Sequence, residues 1–220
     1  MKMQWVYRRI KFAIWQFPKR VQWLFTYYFH PFYRKPKFRA FPLMLAECFF
    51  FFDLYEIISN LYKKDARPLT KAEILRGYEI FGDSIDYQLV MIDAYAQLVT
   101  KSLGVAYVSF NTINSWGKMS TDILIHELVH VWQYQHFGAG YIANALVAQN
   151  TKEGYNYTDL KLTDWHEADS IHSFNGEQQG DLVRDYYRLK TGLTSEWGGH
   201  TVKDLPKFEK FINEIRMSQI

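Results

Sequence analysis

The chain has 220 residues with 26 basic and 23 acidic side chains, a net charge of +3, and 48% hydrophobic residues that include 17 Phe, 16 Tyr and 7 Trp. That length and apolar content suffice for one domain with a sizeable core and exclude a disordered chain. One cysteine, Cys48, excludes an internal disulfide framework, and no apolar run reaches the roughly 20 residues that cross a bilayer.

Charge is unevenly distributed. Residues 1–46 hold ten Lys or Arg and no acid, leaving 16 basic against 23 acidic residues, or −7, for the remainder. This polybasic start is also aromatic, with Trp5, Trp15, Trp23, Tyr27, Tyr28, Phe29, Phe32 and Tyr33. As a helix it gathers Met3, Val6, Ile10, Ile14 and Phe17 into one stripe, from which Arg8, Arg9 and Lys11 fall away. Basic amphipathic segments with Trp and Tyr suit an anionic membrane surface, so docking on such a surface or on a partner protein is expected of residues 1–46. Ordinary packing against the rest of the chain competes with that expectation; nucleic acid, the other polyanion, ranks below both. Arg8, Arg9 and Lys11 also interrupt any signal-peptide core. Cytoplasmic synthesis is expected, followed by peripheral membrane attachment or by export without a cleavable signal.

Residues 43–64 read as an amphipathic helix in which Glu47, Asp53, Glu56 and Asn60 interrupt the apolar positions. The expected division is a basic, aromatic helical region over 1–64 and a second unit over 65–220. Thr70-Lys71-Ala72-Glu73 is a capping box opening a helix that ends near Gly82. Residues 86–93 and 104–113 read as strands, the second bounded by Gly104 and by Asn114-Ser115.

His126-Glu127-Leu128-Val129-His130 follows, inside an apolar run from Ile123 to Trp132 that predicts a buried helix. Residues four apart share a helix face, so His126 and His130 can offer two imidazole nitrogens to one metal ion, with Glu127 beside them to take a proton from water. Three buried polar side chains need a shared partner, and a metal supplies it. A third ligand must come from elsewhere. His136 has the spacing of the metzincin ligand, but that pattern needs glycine where Gln133 stands. The stronger candidate is Glu177. Asn175 is an N-cap for a helix stopped at Gly192, and it puts Glu177 and Asp181 one turn apart on one face. A carboxylate ligand could then be followed by one that accepts the outer N–H of a metal-bound histidine.

Between these helices, residues 140–149 read as helical and the stretch from 150 to 174 as a long irregular loop. Tyr155, Tyr157, His166, His172, Tyr186 and His200 have groups that could stabilise a transition state, and spacing singles out none of them; Tyr155 and Tyr157 best fit the layout of the family resembled below. His166, Glu167, Asp169 and His172 could also gather a second ion. The last helix is expected from Asp204, with Pro206 in its first turn and Phe208, Phe211, Ile212 and Ile215 on one side.

HExxH followed by a helix bearing ExxxD resembles the gluzincin branch of zinc metallopeptidases. The longer strings HELVHVWQYQ and NGEQQGDLVRDYY are similar to zincin-like metallopeptidase domains of bacterial effector and toxin proteins of the Rhs and injection-system type, over roughly residues 75 to 192. Val129 stands where threonine is usual, and Gly180 replaces a small alanine, a change expected to loosen the second helix. The resemblance implies Zn²⁺ on His126, His130 and Glu177, Glu127 as general base, and Asp181 behind a ligand. The expected fold is α+β, a zincin-like domain whose small sheet backs the HExxH helix and could align a peptide or protein substrate by strand addition. The expected function is zinc-dependent hydrolysis of peptide bonds by a metal-activated water. The alternative is a non-catalytic zincin-like interaction module, membrane-associated through its basic start; an intact Glu127 argues against it, since a structural zinc site has no need of a base.

Overall fold

The computed structural model describes residues 2–26, 37–63, 65–97, 100–149, 154–159 and 165–220. Tyr27, Tyr28, Phe29, Phe32 and Tyr33 of the aromatic start lie outside them. The chain is α+β, mostly helical with a small mixed sheet. Its elements run α1 (Lys2–Thr26), α2 (Lys37–Cys48), α3 (Phe51–Tyr62), β1 (Arg67–Pro68), α4 (Lys71–Phe81), β2 (Met91–Asp93), α5 (Thr100–Leu103), β3 (Tyr107–Ser109), β4 (Thr112–Asn114), α6 (Thr121–Phe137), α7 (Tyr141–Gln149), α8 (Gly176–Lys190) and α9 (Leu205–Met217). Among the described residues the sheet order is β1-β2-β4-β3. β2 runs parallel to β4, with Ile92 opposite Ile113, while β1 and β3 pair antiparallel at the two edges.

α6 is buried along most of its length, its polar residues His126, Glu127, His130 and Gln133 included. Leu128, Val129, Trp132 and Tyr134 join it to Ile80 and Phe81 of α4, to Leu182 and Tyr186 of α8, and to Phe208, Phe211 and Ile212 of α9. The local signals for the flanking helices hold. Thr70 and Glu73 close the capping box of α4, Asn175 and Gln178 close that of α8, and Pro206 lies in the first turn of α9.

Three local expectations change. Residues 104–113 form a hairpin, β3 and β4, rather than one strand. Phe110 sits at its turn with φ 63°, held by its N–H to the Tyr141 hydroxyl and by stacking on Phe52; tertiary contacts override the usual preference for glycine there. The strand expected over 86–93 shrinks to Met91–Asp93, because successive turns occupy the residues before it.

The helix expected over 43–64 is broken at Phe50, whose φ is 59°. Asp53, Glu56 and Asn60 recur at helical spacing on one side of α3, but on an unbroken helix Glu47 would lie about 120° away from Asp53. The break lets Glu47 and Asp53 both face Arg20 (3.7 and 2.6 Å). Arg9 pairs with Asp53 and Glu56 (2.6 and 2.7 Å) and donates to the Tyr134 hydroxyl on α6. Glu56 accepts from the Asn111 N–H and the Thr112 hydroxyl, and Glu47 accepts from the Ala139 N–H. Arg9, expected among the surface cations, is therefore fully buried at 0% exposure, as is Arg20 at 1%. Charge pairs, rather than apolar side chains, fasten much of α1–α3 to the sheet and to α6.

Candidate metal centre

α6 and α8 meet along their buried faces and bring His126, His130 and Glu177 together; their potential ligand atoms all lie within 4.8 Å of one another. The Nε2 atoms of both histidines sit 3.3 Å from the same oxygen, Glu177 Oε2. The other carboxylate oxygen of Glu177 accepts from the Gln149 amide at 2.8 Å. His136 takes no part: its Nε2 donates to the Ser84 carbonyl at 2.8 Å. Of the two candidates for the third donor, the structure brings Glu177 to the site.

The outer ring nitrogens fix the tautomers. His126 Nδ1 faces Asp181 Oδ1 at 2.8 Å, and Asp181 Oδ2 accepts from the Trp197 indole at 2.6 Å. His130 Nδ1 faces Gln133 Oε1 at 2.9 Å. The Gln133 amide nitrogen donates to Gly176 O and Gln179 Oε1, so its oxygen is the atom turned toward the imidazole. Each neutral ring, its proton engaged at Nδ1, presents a bare Nε2 to a carboxylate oxygen. Three lone pairs converging in a buried space repel unless a cation lies among them.

The protonation states express the same demand. Burial disfavours charge on His126, but the hydrogen bonds to Asp181 and Glu177 outweigh it and raise the imidazole to about 10. Burial likewise opposes charge on His130, yet Glu177 raises it. Burial alone would push Glu177 up, whereas His130 and His126 hold it well below the usual carboxylate range. Without a metal the pocket captures protons; two imidazole nitrogens and one carboxylate oxygen, with their outer atoms fixed, could equally hold a metal ion. Glu127 lies in the same pocket, raised by burial against the pull of His126 and His130. Its Oε2 is buried with no hydrogen-bond partner among the described residues.

Gly180 allows the two helices to close. A Cβ there would stand 2.6 Å from His126 Cε1. The missing side chain gives the His126 ring its space.

A cleft of about 760 Å³ opens onto His126, Glu127, His130 and Glu177, lined on its apolar side by Val105, Val108, Ile142 and Leu146. Edge strand β3 forms part of its wall. Tyr155 also lines it, its ring 6.1 Å from that of His126. Tyr157 does not: it is fully buried, donates to Asp185 Oδ2 at 2.9 Å, and packs on Trp165 and Phe208. Tyr186 bonds Glu209, and His200 lies against Trp165. The suggested second ion site does not assemble among the described residues; His172 stacks on Trp132 instead. Sequence reasoning missed Gln133, Gln149 and Trp197. Only Gln133 gave a signal, as an amide one turn after His130 on a helix too apolar to leave it unpartnered.

No family model matches the chain. Its similarity is to a bacterial effector protein. An alignment of 136 residues is 30% identical to the type VI secretion system spike protein VgrG2b of Pseudomonas aeruginosa, covering 56% of this chain and 13% of that protein. The chain thus spans about an eighth of the length of the curated relative it matches. The solved effector domain of VgrG2b aligns with a TM-score of 0.45 and 24% identity over 70% of this chain and 85% of that one.

Proposed function

We infer that the chain is a zinc-dependent peptidase of zincin type and that it acts as a secreted effector. The observation that carries this reading is the convergence of His126 Nε2, His130 Nε2 and Glu177 Oε2 on one point, beside a Glu127 carboxylate oxygen with no hydrogen-bond partner among the described residues. Zinc suits two imidazoles and a carboxylate, and when bound it would polarise a substrate carbonyl and acidify a water.

The chain's own groups supply the rest. Glu127 Oε2 accepts the proton of the attacking water and returns it to the departing amine. Asp181 and Gln133 hold the two rings, while Tyr155, the cleft tyrosine whose ring lies 6.1 Å from that of His126, is placed to donate to the oxygen that gains charge. The apolar wall and the edge of β3 suit an extended peptide with an apolar side chain next to the scissile bond. The similarity to VgrG2b supports delivery as an effector.

The test is metal content beside casein hydrolysis for wild type and Glu127→Gln. Equal zinc with activity lost to background supports the reading. Equal activity in both removes Glu127 from the chemistry, and zinc-bound wild type without hydrolysis on any peptide library favours a non-catalytic module.

A further inference from the structure

α1 and α3 are arranged inside out. They run antiparallel, joined by the Phe17–Phe50 stack at one end and by the Lys2 ammonium on the Lys63 carbonyl at the other. The side chains they turn inward are largely polar or charged: Arg9, Gln16 and Arg20 from α1, Asp53, Glu56 and Asn60 from α3, all buried. Those turned outward are apolar. Met3, Tyr7, Ile10 and Ile14 are 45 to 74% exposed on α1, as are Phe51, Leu54, Tyr55 and Ile58 at 45 to 63% on α3. Water favours the opposite arrangement, since each outward side chain of this size forgoes a favourable burial.

Charge decides what covers this face. In α1–α3 every acidic residue of the described stretch, Glu47, Asp53 and Glu56, is buried in ion pairs, whereas Lys2, Arg8, Lys11, Lys19 and Arg39 are exposed or half-buried. The outer surface therefore carries apolar and cationic groups and no carboxylate. Lys11 and Lys19 lie over the rings of Tyr7 and Trp15 (5.5 and 4.8 Å), placing cations beside amphipathic aromatics along the flank of the apolar stripe. Polar groups paired internally, apolar groups outward and an aromatic and basic fringe are what the interface of an anionic bilayer selects. No described helix is long and apolar enough to cross a membrane, so a helix pair of this kind lies in the surface.

We propose that the outer face of α1 and α3 is a membrane-binding surface that inserts its apolar side chains among the headgroups of anionic lipid. The inference is independent of the metal centre. It rests on the inverted burial of the helix pair, which the sequence stripe alone did not assign to α3.

The test is flotation of the full chain with vesicles of phosphatidylcholine mixed with phosphatidylglycerol, and with phosphatidylcholine alone. Wild type is expected to float with the mixed vesicles and to partition into the neutral ones roughly tenfold less. Ile14→Glu and Leu54→Glu change exposed positions, so both are expected to melt with wild type, yet each lowers partitioning by roughly tenfold or more. Wild type that stays in the aqueous fraction, equal flotation with both vesicles, or variants that float like wild type overturns the proposal. So does a wild-type dimer that floats with neither vesicle and is dissociated by Ile14→Glu, which would assign the face to a second copy of the chain.

Discussion

Trp197 donates its indole N–H to Asp181 across 2.6 Å, and the same carboxylate holds His126 by its Nδ1 at 2.8 Å. A residue sixteen positions beyond α8's aspartate thereby sets the direction in which an α6 imidazole points. Asp181→Asn removes the charge that makes this ring a better donor. The expected result is a loss of zinc affinity of about 10 to 100-fold in competition with a chromophoric chelator, and a smaller loss for Trp197→Phe. Unchanged affinity in Asp181→Asn would show that His126 needs no such support.

The two tyrosines separate by burial. Tyr155→Phe is expected to lower kcat on casein-derived peptides by about 100-fold with KM little changed, the size of effect seen when one donor to a developing oxyanion is removed. Tyr157→Phe removes a buried hydrogen bond to Asp185. It is expected to cost about 1 kcal/mol of unfolding free energy in urea, with kcat unchanged. The reverse pattern would move the catalytic role to Tyr157.

How these groups meet was only partly legible in the sequence. HExxH and its helix could be read because both are local: apolar residues at a period of 3.6 and a four-residue ligand spacing need no knowledge of the fold. The Asn175 cap and the Thr70 capping box were legible for the same reason. The break at Phe50 was not, since it places Glu47 opposite an arginine 27 positions earlier. Nor was the turn at Phe110, where Tyr141 and Phe52 hold a bulky residue in a left-handed conformation. The wheel of α1 showed a stripe but not its direction, because an apolar face is ordinarily turned inward and here Arg9 and Arg20 occupy that side. Trp197 lies in a segment with no periodic pattern at all.

Half-buried His136 gives the fold an acid limit separate from the metal. Burial lowers its imidazole from 6.5 to about 4 despite the bond to Ser84. A folded-state value below the unfolded one means that the unfolded chain takes up the proton first, so the stability tied to this group is full above about pH 6.5 and disappears as pH falls through 4. The loss is up to about 3 kcal/mol for a group with a partly exposed edge. Urea titrations at both ends of this window should show wild type losing more stability than His136→Gln. Equal losses would exclude His136 as the group responsible.

The buried arginines should behave asymmetrically. Arg9→Ala leaves Asp53 and Glu56 short of a counter-charge in a dry interface and is expected to cost about 3 to 5 kcal/mol. Replacing Arg9 and Glu56 together by Met and Gln, with Asp53 kept as the partner of Arg20, should recover much of that loss. A double variant as unstable as Arg9→Ala would mean that packing around the guanidinium, and not its charge, fastens α1.

The most direct test of the metal centre is anomalous scattering at the zinc edge from crystals of the purified chain. The expected result is a single peak bounded by His126 Nε2, His130 Nε2 and the Glu177 carboxylate, absent in His126→Ala. A peak bounded by other side chains, or none from crystals grown with zinc present, would contradict the ligand set and the hydrolytic function built on it.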